Sequence, residues 1–304
     1  MKRTVFIGLV GITLALAASA IAAEVMLYTP AQGTITKYRV VVKNTGEIIS
    51  SEATASDGSP VSDELITTLR QAFTRGLNRT TTTDSIETVL EVQSDGTRIT
   101  RIDSITGSRN ASGTTASRKY TQTLAYKPDG QVEVREFKFD TTNLDAASAD
   151  ALTQTAKNLK KLVATQLDGV YGIPLELGQS YEVTNQVQSL LFSDSPVEIA
   201  STTTRTFQGR DNQGRNMFDV VSMTPTFQFD NVISGLSKPA KFVFGISNTT
   251  GTMHYLSDGR IERGTSQTNV QVNFEAAFLL ENGIECSFRA TVDFKVETMT
   301  ETVF

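Results

Sequence analysis

The sequence predicts a mainly β protein with a few helices, arranged as two related β-rich units in tandem. Three observations lead there. Runs of β-forming residues are separated by Asp-Gly and Asn-Gly dipeptides, only two stretches space their apolar residues as a helix would, and one hairpin sequence recurs 129 residues downstream.

The first residues read as a secretory signal. Lys2 and Arg3 precede an apolar run from Thr4 to Ala17, and Ala18-Ser19-Ala20 or Ala20-Ile21-Ala22 offers a small-residue cleavage site. The expectation is a mature chain starting near Ala23, secreted or periplasmic, with no transmembrane anchor after cleavage. The apolar run falls short of the roughly 20 residues a spanning helix needs. Without Lys2 and Arg3 the chain holds 26 basic and 33 acidic residues, a formal charge of −7. Those acids are scattered and no basic stripe exists, which argues against nucleic acid as a partner. Cys286 is the only cysteine, so no internal disulfide can form.

In chain order, Ser59-Pro60 predicts a helix start, with Val61, Leu65, Leu69, Phe73 and Leu77 forming one stripe that ends around Gly76. Strands follow over Ser85–Val92 and Thr97–Ile102, turned by Asp95-Gly96. Residues Gly107 to Ser117, rich in Gly, Ser, Thr and Asn, predict a long exposed loop. Asp129-Gly130 separates Tyr120–Tyr126 from Gln131–Phe139. In the latter, the offset between Val134 and Phe137 predicts a bulge. A second amphipathic helix spans about Asp145 to Gln166, with Leu152, Leu159, Val163 and Leu167 on one side and Asp150, Lys157, Lys160 and Lys161 on the other. Beyond it, Asp211–Gly214, Asp258-Gly259 and Asn282-Gly283 mark further hairpins, since such residues tolerate the positive φ angles of tight turns.

The recurring hairpin is Thr123-Leu-Ala-Tyr126-Lys-Pro-Asp129-Gly130-Gln-Val132-Glu133. It returns as Thr252-Met-His-Tyr255-Leu-Ser-Asp258-Gly259-Arg-Ile261-Glu262. This predicts internal duplication, with a signal at 1–22, an N-terminal β-rich unit at 23–142, a connecting amphipathic helix at 143–169 and a C-terminal β-rich unit at 170–304.

The residue inventory excludes much chemistry. His254 is the only histidine, which removes two-histidine metal or acid–base sites within one chain. No nucleophile elbow, phosphate loop or dinucleotide fingerprint occurs. Asp211-Asn-Gln-Gly-Arg-Asn216 lacks the alternating acids of a calcium loop. Asn78-Arg-Thr80, Asn110-Ala-Ser112 and Asn248-Thr-Thr250 match a glycosylation pattern that Thr/Ser-rich chains produce by chance. No catalytic residue, cofactor or metal site is expected.

The aromatic distribution is uneven. Of 16 Phe, twelve follow residue 180. Phe227 and Phe229 lie two apart, as do Phe242 and Phe244, so each pair faces one side of a strand. Together with Phe274 they predict the lining of an apolar site for a hydrophobic small molecule or lipid, against the plainer reading of a Phe-rich packed core.

Tyr171-Gly-Ile-Pro174-Leu-Glu-Leu-Gly178-Gln-Ser-Tyr181 and the Tyr255–Ile261 hairpin resemble a group of bacterial envelope proteins with duplicated β-rich halves. More distantly, the arrangement is similar to the half-barrel periplasmic carriers of lipoproteins and lipids. The resemblance implies two tandem curved antiparallel sheets, half-barrel-like, each covered by an amphipathic helix, with a ligand-sized hollow and no catalytic residues. The expected function is an exported, non-enzymatic binding or envelope-associated protein. The alternatives are a structural or adhesive surface protein, an outer-membrane barrel, or a carboxylate-based hydrolase.

Overall fold

The computed structural model describes residues 25–110, 115–142, 144–167, 171–172, 175–189, 197–231, 236–280 and 282–303. The expected signal segment lies outside them. Among the described residues thirteen strands form one antiparallel sheet. In chain order they are β1 (Ile35–Ala55), β2 (Arg79–Val92), β3 (Arg98–Asn110), β4 (Thr115–Tyr126), β5 (Val132–Phe139), β6 (Ser180–Ser189), β7 (Val197–Arg210), β8 (Asn216–Thr224), β9 (Phe227–Asn231), β10 (Ala240–Phe244), β11 (Ser247–Tyr255), β12 (Ile261–Leu279) and β13 (Glu285–Thr302). The order across the sheet is β5-β4-β3-β2-β1-β13-β12-β11-β8-β7-β6, with β10 also on β12 and β9 on β10.

The sequence predicted two sheets; there is one. The N-terminal strands form one flank and the C-terminal strands the other, and β1 joins β13 from Tyr38–Thr302 to Ala55–Cys286. Local hairpin signals cannot report a pairing between the two ends of the chain. β1 is the hinge of the sheet. Thr36, Tyr38, Val40, Val42 and Asn44 point to one face and are buried, whereas Lys37, Arg39 and Lys43 point to the other and are exposed.

Two strands are interrupted at the same level. β8 stops before Pro225 and resumes as β9, and β10 stops at Gly245 and resumes as β11. Proline lacks the N–H that the ladder needs, so the break falls where the sequence places it. Gly245 keeps contact with β12 through its N–H, which donates to the Gln271 carbonyl at 2.8 Å.

Helix α1 (Asp63–Leu77) starts three residues later than Ser59-Pro60 predicted. Ser62 is its N-cap and accepts from the Leu65 N–H at 3.3 Å, which leaves Pro60 outside the helix. Its Leu69 and Leu77 pack against a cluster of Ile48, Phe274, Phe288, Ala290 and Val292. Helix α2 (Ala146–Leu167) matches its predicted span, and Asp145 accepts from the Ser148 N–H at 2.9 Å. Ala156 and Leu159 are buried with Tyr120 and Phe139 of the β4–β5 edge. α2 also contacts β6, the strand at the opposite edge.

The predicted loop over 107–117 is largely strand: Gly107 pairs with Ser117, Ser108 with Ala116 and Arg109 with Thr115. A Ser/Thr-rich segment forms strand when its hydroxyls have cross-strand partners. Those partners lie in β2, where Thr83 and Thr106 share a hydrogen bond of 2.9 Å, Ser85 and Ser104 one of 2.8 Å, and Arg79 donates to Ser108. The predicted bulge is present, with Arg135 the extra residue where Thr123 faces Glu136 and Leu124 faces Val134.

The main core gathers side chains from both flanks, including Val40, Val42, Leu124, Val134, Phe207, Phe218 and Met253. One end is closed by the segment before β1. Its Thr29 N–H donates to the Asp258 carbonyl at 2.8 Å and its Gly33 N–H to the Val89 carbonyl at 2.9 Å. Tyr28 of this segment stacks on Tyr126 at 3.9 Å and meets Tyr171 edge-on at 6.0 Å.

Candidate functional site

The five predicted phenylalanines come together. β9 and β10 pair Phe227 with Phe244 and Phe229 with Phe242, and β10 pairs Phe242 with Phe274 of β12. Direct cross-strand partners share a face, so all five rings stand on one side. Ring centroids are 4.8 Å apart for Phe227–Phe244 at an interplanar angle of 5°, 5.1 Å for Phe229–Phe242 and 5.0 Å for Phe242–Phe274. Phe274 is 4% exposed and anchors the row; the other four are half-buried. Phe242 packs with the same cluster that receives Leu69 and Leu77 of α1.

The opposite side of this sheet region is charged. Arg289 bridges Glu275 at 3.1 Å and Glu52 at 3.6 Å. This region of the sheet is therefore two-faced, with aromatic rings on one side and the β1–β13–β12 ion pairs on the other. Stacked, half-exposed rings offer a flat, apolar contact without hydrogen-bond donors, which suits a greasy or planar ligand. A separate groove of about 710 Å³ crosses the outer face beside Val41, Thr265 and Met299, and Met299 is 44% exposed there.

The other singled-out residues have local explanations. Cys286 is fully buried at the start of β13, and burial raises its thiol above the usual range. His254 lies in β11 between Met217 and Arg263, with Nδ1 buried and without a hydrogen-bond partner among the described residues. Burial, and then Arg263 and Arg215, lower its pKa, so it is neutral at neutral pH. Asp211 is occupied in its own turn, accepting from the Gln213 and Arg215 N–H groups at 2.8 and 3.1 Å and from the Arg215 side chain. Asn78 caps the C-terminus of α1 through its Nδ2, which donates to the Thr74 carbonyl at 3.0 Å, and its Oδ1 accepts from the Gly46 N–H of β1 at 3.2 Å, which ties the first glycosylation triplet to a structural role. Among the described residues no cluster of three or more His, Cys, Asp or Glu is placed to hold a metal, and no helix is long and apolar enough to cross a membrane.

Two buried ionisable residues were not singled out from sequence. Glu87 of β2 is 7% exposed and accepts from the Tyr28 hydroxyl at 2.8 Å; burial raises its pKa to about 7 against the opposing pull of Tyr28 and Arg260. Arg205 of β7 is 2% exposed, and its Nε and Nη1 have no hydrogen-bond partner among the described residues. The available signal was spacing: Thr203, Arg205 and Phe207 alternate, so an arginine two residues from a core phenylalanine faces the core.

No family model and no curated protein matches the chain. Among solved structures, a mutant porin of Rh. blastica is similar at a TM-score of 0.21 and 8% identity, over 89% of this chain and 99% of that one. A TM-score so low carries no argument.

Proposed function

We propose that the chain is an exported, non-enzymatic binding protein that holds a hydrophobic small molecule or lipid on the Phe227–Phe229–Phe242–Phe244–Phe274 row. The observation that carries this reading is a run of stacked rings of which four are left half-buried. Apolar side chains left partly exposed one at a time are ordinary, but several stacked in one contiguous patch mark a contact surface. The site adjoins α1, whose Leu69 and Leu77 supply further apolar surface.

The test is extraction of the purified protein with organic solvent followed by mass spectrometry, beside titration with a fluorescent hydrophobic probe. The chain has no tryptophan to interfere. Phe229→Ser with Phe244→Ser is expected to lose the co-purified molecule and weaken probe binding at least tenfold. Unchanged binding in that variant would refute the site.

An outer-membrane barrel is disfavoured by the outward face. A lipid-facing band is apolar, whereas here Arg39 bridges Asp84 at 2.7 Å, and Lys43 and Lys295 both reach Glu297. We also infer that the two β-rich units share an ancestor and that each flank keeps the half-barrel plan with its own covering helix. Supporting this, Asp129 and Asp258 each accept from the N–H two residues on, at 3.0 and 3.2 Å. Each turn has a positive-φ glycine, and Tyr126 and Tyr255 are both buried.

A further inference from the structure

Arg205 stands out because its charge has no evident reason to be buried. Hydroxyls in the neighbouring row of the inner face pair across strands. Thr203 donates to Ser222 at 3.0 Å, and Thr249 and Thr268 share a hydrogen bond of 2.7 Å. Two residues further along β7, Phe207 packs on Phe218 at 5.0 Å. Arg205 thus lies between a hydroxyl layer and an aromatic layer. No ion pair or hydrogen bond joins it to a carboxylate among the described residues.

Its direct cross-strand partner is Tyr181 of β6. The Tyr181 hydroxyl is also buried and also without a hydrogen-bond partner among the described residues. Direct partners on neighbouring strands hold their Cβ atoms about 5 Å apart, so a guanidinium and a phenol leave the sheet side by side, and neither Arg205 Nε and Nη1 nor the Tyr181 hydroxyl has a hydrogen-bond partner among the described residues. Across the sheet the same row runs through Val220, Thr298 and Val42 to Thr81, whose Oγ1 is likewise unpartnered. Isolated buried charge is strongly destabilising, and a planar guanidinium matches a carboxylate or phosphate through paired N–H donors.

We propose that Arg205 and Tyr181 form a binding site for an oxyanion, a carboxylate or phosphate group, held on the inner face of the sheet. The site is distinct from the phenylalanine row. Val220, level with Arg205, and Phe227 are seven residues apart and lie on either side of the break at Pro225.

Thermal unfolding of the purified protein in chloride buffer, with inorganic phosphate at matched ionic strength, and with a long-chain fatty acid tests this. Phosphate alone raising Tm identifies a free oxyanion; a rise with the fatty acid only identifies an anionic headgroup. Either supports the site if Arg205→Met abolishes the rise and melts above wild type in the oxyanion-free buffer. No rise with either probe overturns the proposal, as does an equal rise in Arg205→Met or a lower Tm of that variant in chloride. Tyr181→Phe keeps the test independent of how Arg205→Met folds. It should weaken calorimetric binding of the active probe about tenfold, the value of one hydrogen bond to a charged group; unchanged affinity refutes the paired site. Phe229→Ser with Phe244→Ser should leave the phosphate response intact, so failure of the hydrophobic reading remains distinguishable.

Discussion

Replacing Glu87 with Gln should make the protein more stable at alkaline pH and leave it unchanged in acid. Glu87 lies at the tyrosine-rich end, where Tyr28 donates to it at 2.8 Å and Tyr38, Tyr126 and Tyr171 surround it with hydroxyls that burial also keeps protonated. Among the charged groups near it, Arg260 favours the carboxylate and Asp258 opposes it; burial outweighs both, raising the pKa from 4.5 to about 7. The folded protein therefore binds this proton more tightly than the unfolded chain does. Its stabilising contribution is complete below pH 4.5, falls as pH rises, and is gone above about pH 7. A shift of about 2.5 units at 1.36 kcal/mol each gives a penalty of about 3 kcal/mol at pH 8. Gln retains an oxygen to accept from Tyr28 and cannot ionise. Urea unfolding at intervals from pH 4.5 to 8.5 should show the two proteins equal at the acid end and Glu87→Gln ahead by about 3 kcal/mol at the other. Taking the difference cancels groups common to both, His254 included. Parallel profiles, or a variant that loses stability at pH 8, would refute the reasoning.

Three further outcomes follow from packing. Gly259 has φ +84°, and an added Cβ would lie 2.6 Å from the Leu27 carbonyl oxygen. Gly259→Ala should therefore lose about 1–3 kcal/mol in urea unfolding and expose the segment holding Tyr28 to proteolysis. Phe218 is 1% exposed between Phe207 and Tyr255, so Phe218→Ala should lose about 3–5 kcal/mol by the same assay. Cys286, fully buried, should resist a thiol reagent in the native protein and react at once in denaturant.

Much of this fold was legible because its signals are local. The turns at Gly96, Gly130, Gly214, Gly259 and Gly283 all have positive φ, as their dipeptides imply. The two-residue spacing of Phe227–Phe229 and Phe242–Phe244 placed the rings on common faces, and β9–β10 pairing then stacked them. What escaped was non-local. The β1–β13 junction joins residues more than 200 positions apart, and no motif in either strand names the other. Polarity was the second blind spot. Thr81, Thr83, Ser85, Ser104 and Thr106 are all buried, yet Ser/Thr-rich runs read as surface or loop when each hydroxyl is judged alone.

That polar inner face explains how the sheet can be mainly β without a uniformly greasy interior. A hydroxyl is small, and a threonine directly opposite another threonine satisfies both while their methyl groups pack. Such a layer is stable only when its partners are correctly paired, and the aromatic clusters at either end give it dry boundaries. Among the described residues, lone hydroxyl or amide oxygens such as those of Thr81, Thr100 and Asn44 are left without a partner on this face too, but Arg205 is a charge among them. Thr83 and Ser85 have partners; the Arg205 Nε and Nη1 and the Tyr181 hydroxyl, placed by the same alternation on the same face, have none among the described residues. Misregister does not account for this, because β6, β7 and β8 are paired without interruption through Arg205. Among the described residues these groups are held in place by a well-formed sheet without an acceptor, which is the condition the proposed oxyanion would relieve.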